Sequence, residues 1–349
     1  MDERLAKRIA ALRLERQRFN SPVDEAGYEA LFRQMSPVRC VYWSAPGNPP
    51  ELFPRTAFDD AALCFRLRAR QEVVKGRFQG GGIGYIFAGE WPLFLSAYRK
   101  APARLSLPEE ELLRLLEREG PLNIGLMREL TGLRAKDITP ILHKLQTKFL
   151  VFEDQADNEG DRSWQLFRQA FPHAEEGILP KIEAIAILLL RFCRLNVWID
   201  ERMAVSYYRF AAREVKAAFA ALAGQGKLLP LEGGWIAPED EALLRTEATP
   251  QSGVFALHRN DFLVKSLEHQ LAGRYGRDGL EALWYLLIDG EFQGAVLGRF
   301  HNGPYELEDV ELTLSSEEAQ RRRPEILAAV ERVSDPFLSP LRRYLGEAL

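Results

Sequence analysis

Apolar and polar positions follow two different periods along the chain, and their order predicts the fold. Between Pro108 and Phe167, three segments with helical spacing are followed by a segment that alternates around an Asp/Asn/Gly turn. The helical segments are PEEELLRLLEREG, NIGLMRELTG and RAKDITPILHKLQTKF, and the alternating one is LVFEDQADNEGDRSWQLF. Glycine ends the first two helices. Three helices followed by a hairpin are typical of a winged helix.

The same order returns between Pro180 and Pro238, where EGG is the expected turn of the hairpin. A more altered copy opens the chain. Its helices are expected over Arg4 to Phe19, Glu25 to Gln34 and Asp59 to Arg70, and its strands are EVVKGRF and IGYIFAG, on either side of three glycines. Three tandem winged helices therefore precede the last hundred residues.

The last part of the chain has a different pattern. After the loop TEATPQSG, the stretch ALWYLLIDGEFQGAVLGRFHNGPYELEDVELTL alternates as an antiparallel meander, and a charged helix is expected over Ser316 to Val333 to cover one face. We therefore predict a mainly α fold with β (α+β), built from three tandem winged-helix units plus a C-terminal antiparallel β-sheet subdomain. The expected boundaries are 1–103, 104–175, 176–248 and 249–349.

Composition limits the class of protein. Hydrophobic residues make up 46% of the 349 residues and charged residues 28%, as in ordinary globular proteins. The three cysteines are widely spaced and form no CxxC pair, so we expect neither a disulfide framework nor a bound metal. The N-terminus lacks a secretory pattern, and the most apolar run contains Arg191 and Arg194. We expect a cytoplasmic monomer that needs no membrane, metal or organic cofactor.

The charge is unevenly distributed along the chain. The net charge is −4, yet the first 100 residues carry 16 Lys and Arg against 11 Asp and Glu, a local excess of +5. A locally basic surface is compatible with a small DNA footprint, because affinity depends on the charges that face phosphates and not on the total.

Standard catalytic motifs are absent from the sequence. It contains no GxGxxG, P-loop, HExxH or GxSxG motif, and its five histidines are not at ligand spacing. The glycine-rich GGGIG, Gly80 to Gly84, lies between two strand patterns instead of before a helix. This position favours a hairpin turn, or a close approach to the backbone, over a phosphate cradle.

The segment RQMSPV contains the polar pair Gln34 and Ser36 just before Pro37. From the residues alone, the end of a helix is the favoured interpretation of the pair, because the residue before proline avoids the helical region and serine favours turns.

With this segment, the front of the chain resembles the winged-helix crosslink-repair DNA glycosylases, the AlkZ/YcaQ-like proteins. That family carries a catalytic Gln-x-Gln or Gln-x-Asp motif near the end of its second helix, often followed by proline, and Gln34 and Ser36 match its two polar positions. VVKGRFQGGGIGYIFAGEWPLF, RNDFLVKSL and YLLIDGEFQGAVLGRF are similar in pattern to later parts of the family. The resemblance covers nearly the whole chain, with Ser36 as a departure from Gln or Asp.

The resemblance implies a monofunctional DNA glycosylase that hydrolyses the N-glycosidic bond of N7-alkylated, bulky, crosslinked or modified bases in double-stranded DNA. Gln34 and Ser36 would be its catalytic residues. A glutamine amide cannot act as a base, but it can hold a water molecule in line with C1′ of a nucleotide whose base already carries a positive charge. Since a Gln-Ser pair has no general base, a carboxylate from elsewhere is expected, with Asp59, Asp60 and Glu72 as candidates.

DNA contacts are expected at two places in the chain. Each has a second interpretation: Lys75 and Arg77 also suit the solvent face of a strand, and winged helices also serve as dimerisation modules. Tyr42 and Trp43 would stack on a base or, more commonly, fill the core. The expected DNA-binding residues are Arg33, Met35, Arg39, Lys75 and Arg77 near the Gln-Ser pair, and Arg134, Lys136 and Lys144 around the third helix of the second unit.

A second function remains open at this point. Tandem winged helices can bind DNA without any chemistry, and Ser36 in place of an acid or amide favours such a non-enzymatic DNA-binding protein. The two hypotheses differ in one observable property, the release of a base from DNA.

Overall fold

The structure, a computed structural model, describes residues 1–39, 50–100, 104–154, 162–277, 279–300 and 305–349. Within these ranges it consists of helices and small antiparallel sheets, which confirms the expected α+β class. The first hundred residues contain α1 (Glu3–Arg16), α2 (Glu25–Met35), α3 (Asp60–Ala69), β1 (Val73–Phe78), β2 (Gly82–Phe87) and α4 (Trp91–Tyr98), with a 3₁₀ turn at Ala88–Glu90.

Two further helix-and-hairpin groups follow, at the positions that the apolar pattern predicts. The earlier group contains α5 (Leu107–Glu119), α6 (Ile124–Thr131), α7 (Ala135–Thr147), β3 (Val151–Asp154), β4 (Ser163–Leu166) and α8 (Phe167–Ala170). The later group contains α9 (Lys181–Asn196), β5 (Trp198–Ile199), α10 (Glu201–Tyr208), α11 (Ala212–Gly224), β6 (Leu229–Leu231), β7 (Gly234–Ile236) and α12 (Pro238–Glu241), with a 3₁₀ turn at Leu243–Arg245.

The C-terminal region is built around a sheet. It contains β8 (Val254–His258), α13 (Phe262–Ser266), α14 (Glu268–Leu271), β9 (Glu281–Ile288), β10 (Glu291–Arg299), β11 (Glu306–Leu312), α15 (Ser316–Arg321), α16 (Arg323–Glu331), β12 (Arg343–Tyr344) and β13 (Glu347–Ala348).

All three helix-and-hairpin groups share one strand arrangement. In each, a short extended segment between helices pairs antiparallel with the second strand of the hairpin, and the first strand lies on the other side. This is the sheet of a winged helix. The groups are called the first unit (α2 to α4), the second unit (α5 to β4) and the third unit (α9 to β7). The pairings are Val38 with Tyr85, Leu122 with Trp164, and Trp198 with Ile236.

Helix α1 does not serve as the first helix of the first unit, as the sequence had suggested. Its apolar residues Ile9 and Leu12 pack in one cluster with Ile236, which belongs to the third unit, and with Leu244, which follows that unit. The Gln17 side chain at its end donates to the carbonyl of Leu195, 3.2 Å away. An apolar stripe shows that a helix is covered, but it does not specify the partner.

The first and third units share one hydrophobic core, because α2 and α4 both pack on α9. Phe32 and Phe94, which are fully buried, belong to the same cluster as Leu188 and Phe192. The second unit has its own core, formed around Leu116, Ile138, Leu142 and Trp164.

The C-terminal strands lie in the order β11-β10-β9-β8 and are antiparallel throughout. Helix α16 covers one face, where Ile326 belongs to the same hydrophobic cluster as Trp284, and Leu14 and Phe19 help to cover the other. The pattern of apolar positions did not predict β8. One helix was expected where α15 and α16 occur, and these two separate at Arg322 because the proline two residues later has no backbone N–H to donate.

Buried ion pairs join these parts. Each pair links a carboxylate that is at most 6% exposed to a cation from a different part of the chain, as the low dielectric of an interior requires. The pairs are Lys75–Glu153 between the first and second units (2.9 Å), Arg191–Glu90 between the third and first (2.6 Å), Arg16–Asp240 (2.6 Å) and Arg55–Asp261 (2.6 Å).

Arg55 is the most deeply buried cation of these pairs. Its side chain is 1% exposed, and its two terminal nitrogens donate to both oxygens of Asp261 at 2.6 and 2.9 Å. It also donates to Gln17 at 3.2 Å, and its guanidinium lies 4.4 Å from the centre of the Phe19 ring. One arginine therefore ties the segment before α3 to the end of α1 and to the start of α13.

Replacing Arg55 should destabilise the whole fold. In Arg55→Ala the carboxylate of Asp261 stays buried without its cation, so we expect the free energy of unfolding to fall by about 3–5 kcal/mol in urea denaturation. The control Arg70→Ala removes an arginine that is 71% exposed and 3.7 Å from Glu72, and should change it by less than about 1 kcal/mol. Equal losses in the two variants would contradict this account.

Candidate functional site

Helix α2 carries the Gln-Ser pair at its C-terminal end. Asp24 caps its N-terminus by accepting from the backbone of Gly27, and Tyr28, Leu31, Phe32 and Met35 form its buried face. Gln34 lies away from this face and is exposed. The helical period therefore places the amide side chain in solvent.

Three side chains fix the last turn of α2. Helix C-termini leave carbonyls without backbone partners, and here the Ser36 hydroxyl donates to the carbonyl of Phe32 at 2.9 Å. Arg191 donates to the carbonyl of Arg33 at 2.9 Å, and the Tyr207 hydroxyl donates to that of Met35 at 3.2 Å. Three side-chain hydrogen bonds thus hold the backbone that carries Gln34. Such support suits a side chain that has to position a ligand or a water molecule accurately.

Ser36 belongs to this support and not to the exposed surface. It is 0% exposed, and its hydroxyl is engaged within its own helix. The expectation that Ser36 acts on a substrate is corrected: its side chain caps the helix. Met35 is 1% exposed and packs in the core, so its expected contact with DNA is also contradicted.

Two arginines flank the end of α2. Arg33, half-buried, donates to Glu29 at 2.7 Å and lies 4.4 Å above the Phe87 ring. Arg39, also half-buried, donates through Nε to Gln79 at 2.9 Å, and burial lowers its pKa from the ordinary arginine value. Both cations remain partly accessible on either side of Gln34 in the sequence.

The structure separates Lys75 from any DNA surface. Lys75 is 5% exposed and pairs with Glu153, and burial lowers its pKa to about 8. The face of β1 that was expected to meet solvent or phosphates packs against the second unit, so the prediction for Lys75 is wrong. Arg77 is half-buried and donates to Gln146 at 2.9 Å and to the carbonyl of Gly81 at 3.0 Å.

The cations around α7 are exposed. Arg134 pairs with Asp137 at 2.9 Å on the first turn of the helix, and Lys144 lies 3.3 Å from Glu109. Lys136 is exposed between them and forms no ion pair with any residue in the described ranges. All three belong to the second unit, and their role in DNA binding stays a prediction.

Each of the three carboxylates that were expected to assist catalysis already has a structural contact. Asp59 caps α3, exposed Glu72 lies 3.7 Å from Arg70, and Asp60 is 4% exposed and accepts from the backbone of Leu52 at 2.5 Å. These contacts stabilise local structure. They give the three carboxylates an alternative role to catalysis.

A different carboxylate, Glu51, lines a small crevice beside the end of α2. The crevice has a volume of about 20 Å³, close to that of one water molecule, and Met35, Arg39, Tyr207 and Asn260 also line it. Burial, followed by the nearby Asp60 and Asp59, raises the pKa of Glu51 to about 7. The sequence offered no signal for Glu51, which is a single acid in the proline-rich stretch NPPELFP.

Some predicted features cannot be placed. Tyr42 and Trp43, and the turn HNGP, lie outside the described residues. Within the described ranges, no helix is both long and apolar enough to cross a membrane. No group of three His, Cys, Asp or Glu side chains suited to a metal ion occurs among those residues either.

The fold has a counterpart among solved structures. The structure of the Streptomyces sahachiroi DNA glycosylase AlkZ aligns with 97% of this chain and 99% of its own, with a TM-score of 0.66 and 14% sequence identity. No protein-family model and no curated protein sequence matches the chain. The likeness therefore concerns the fold, and it extends over 97% of this chain.

The capping role of Ser36 can be measured. Ser36→Ala removes one buried hydrogen bond, so the free energy of unfolding should fall by about 0.5–1.5 kcal/mol in urea denaturation, with little change in DNA affinity. Gln34→Ala, which alters an exposed side chain, should leave stability within about 0.5 kcal/mol of the wild type. A strong loss of DNA binding in Ser36→Ala at unchanged stability would show that its hydroxyl reaches the ligand.

Proposed function

We propose that this protein is a monofunctional DNA glycosylase of the cytoplasm, which hydrolyses the N-glycosidic bond of N7-alkylated, bulky or crosslinked bases in double-stranded DNA. The observation that carries the proposal is the exposed Gln34 on a firmly held helix end, in a chain whose fold matches that of a DNA glycosylase over nearly its full length. Arg33 and Arg39, close to Gln34 in the chain, supply cations for the phosphates on either side of the damaged nucleotide.

The chemistry assigned to Gln34 is the positioning of water. The reaction develops positive charge on the sugar as the base departs, and an attacking water has to lie in line with C1′. An amide can accept one hydrogen bond from that water while its own N–H groups bind DNA. Since an N7-alkylated purine is already cationic in the DNA, it leaves without prior protonation, and positioning supplies much of the catalysis.

Glu51 is the carboxylate that we assign to the same reaction. Ionised, it would take the proton from the attacking water or stabilise the cationic sugar, the two roles that neutral Gln34 cannot fill. A pKa of about 7 leaves it partly ionised at neutral pH. With Ser36 buried, Glu51 replaces it as the second polar group of the site.

A non-enzymatic tandem winged-helix DNA-binding protein is the second candidate. The observation in its favour is the burial of Ser36, which removes the second side chain of the family's catalytic pair from the surface. The exposed cations Arg134, Lys136 and Lys144 around α7 suit either function.

A measurement of base release distinguishes the glycosylase from the non-enzymatic DNA-binding protein. In single-turnover reactions on duplex DNA with N7-methylguanine, the wild type should produce alkali-labile abasic sites, and Gln34→Ala should lower the rate about 100-fold, equivalent to about 2.7 kcal/mol of barrier. Gln225→Ala, at the exposed end of α11, is the matched control and should react like the wild type. Binding of DNA by the wild type without base release would favour the second candidate.

The role of Glu51 predicts the pH profile. Because Glu51 acts as the carboxylate, the rate of base release should rise with pH through about 7 and then level off. Glu51→Gln should lower the plateau by about 100-fold and abolish the inflection. A wild-type inflection that persists in Glu51→Gln would assign it to another group. Asp2→Asn, at the exposed N-terminal cap of α1, serves as the control because Asp2 is not among the groups that shift the pKa of Glu51.

A further inference from the structure

The hairpin of the first unit ends in a turn with unusual neighbours. Gly80 and Gly81 adopt positive φ angles of 81° and 96°, a region that side chains disfavour. A Cβ atom on Gly80 would lie 3.5 Å from Cγ of Arg209, and one on Gly82 would lie 3.4 Å from Nη2 of Arg39. Two arginine side chains, from the third and first units, therefore pack against the same bare turn.

A third cation and one acid complete the group. Lys265, on α13, lies 2.6 Å from Glu268 on α14, and Arg209 lies 3.0 Å from the same carboxylate. We call Arg39, Arg209, Lys265 and Glu268 the turn cluster. Its three cations face one carboxylate, which leaves a formal charge of +2 in a chain whose net charge is −4.

The other groups that face the cluster do not neutralise it. Tyr98 and Tyr207 lie near Arg39, and burial raises the pKa of both, so they stay uncharged. Asp261 is already paired with Arg55. Gln79, which accepts from Arg39, contributes no charge.

The turn cluster is partly accessible, since Lys265 is 16% exposed and Arg209 is more exposed. It also lies near the proposed site. The side chain of Arg209 is 49% exposed and that of Glu268 33% exposed, so donor groups of Arg209 face solvent. Arg39 also lines the crevice that contains Glu51, and Tyr207, which lies close to Arg39, holds the last carbonyl of α2. The cluster therefore borders the end of the helix that carries Gln34.

We propose that the turn cluster binds a phosphate group of the DNA backbone next to the nucleotide that Gln34 addresses. Arginine guanidinium groups pair well with phosphate oxygens. Because the glycine turn carries no side chains, the DNA backbone can come close to the arginines. Glu268 holds Arg209 and Lys265 in place when no DNA is bound and competes with the phosphate. This inference rests on the proposed action on DNA, but it requires no base release.

The salt dependence of DNA binding tests the cluster. Affinity for an undamaged duplex is measured by fluorescence anisotropy over a series of salt concentrations, and each phosphate contact that is lost should reduce the slope of log K against log salt by about 0.9. Arg209→Gln should reduce it by about one such step, and Arg209→Gln with Lys265→Gln should reduce it further. The matched control, Arg245→Gln, removes a 77% exposed arginine paired with Glu241 and should keep the wild-type slope.

Glu268→Gln gives a test of opposite sign. Removing the competing carboxylate should tighten binding, whereas a purely structural role for Glu268 would weaken it. The inference would be overturned if both cation variants kept the wild-type slope, or if a stably folded Glu268→Gln bound DNA more weakly. It would also be overturned if the wild type bound no DNA. If the slopes change as expected but no substrate loses its base, the glycosylase proposal fails and the phosphate site stands.

Discussion

Buried charges that must be paired hold the parts of this protein together. An isolated carboxylate in a protein interior is strongly unfavourable, so Glu90, Glu153, Asp240 and Asp261 are stable only while a cation from another part of the chain stays in contact. Apolar packing alone would tolerate sliding between neighbouring units. Paired charges do not tolerate such sliding, because a shift of a few ångströms breaks both the hydrogen bonds and the charge pairing. The ion pairs thereby fix the relative placement of the winged helices.

The candidate site depends on that placement. The last turn of α2 belongs to the first unit, but two of the three donors that hold it, Arg191 and Tyr207, come from the third unit. The Arg191 side chain also pairs with Glu90, so one residue both joins the units and fixes the backbone beside Gln34. The turn cluster extends this arrangement, since its cations come from the first unit, the third unit and the C-terminal region.

The sequence predicted the elements better than their partners. Helices such as α5, α9 and α11 and the hairpins followed from apolar spacing and from glycine and proline signals, because these act locally. The position of α1, the burial of Lys75 and the grouping of Arg209 with Arg39 depend on contacts between distant segments, which spacing does not encode. For Gln34 and Ser36 the period does separate an exposed position from a buried one, but only once Tyr28, Leu31 and Phe32 are known to face the core.

The position of α1 in the fold has a consequence for the synthesis of the chain on the ribosome. This helix is synthesised well before the residues that cover it, because the surfaces that cover Ile9 and Leu14 come from residues near Ile236 and Leu257, more than two hundred positions later. Until those residues emerge, its apolar stripe has no native cover, and exposed stripes of this kind are prone to aggregation. A nascent chain arrested within the second unit would therefore be a client for a holding chaperone, although the folded protein buries Ile9, Leu12 and Leu14.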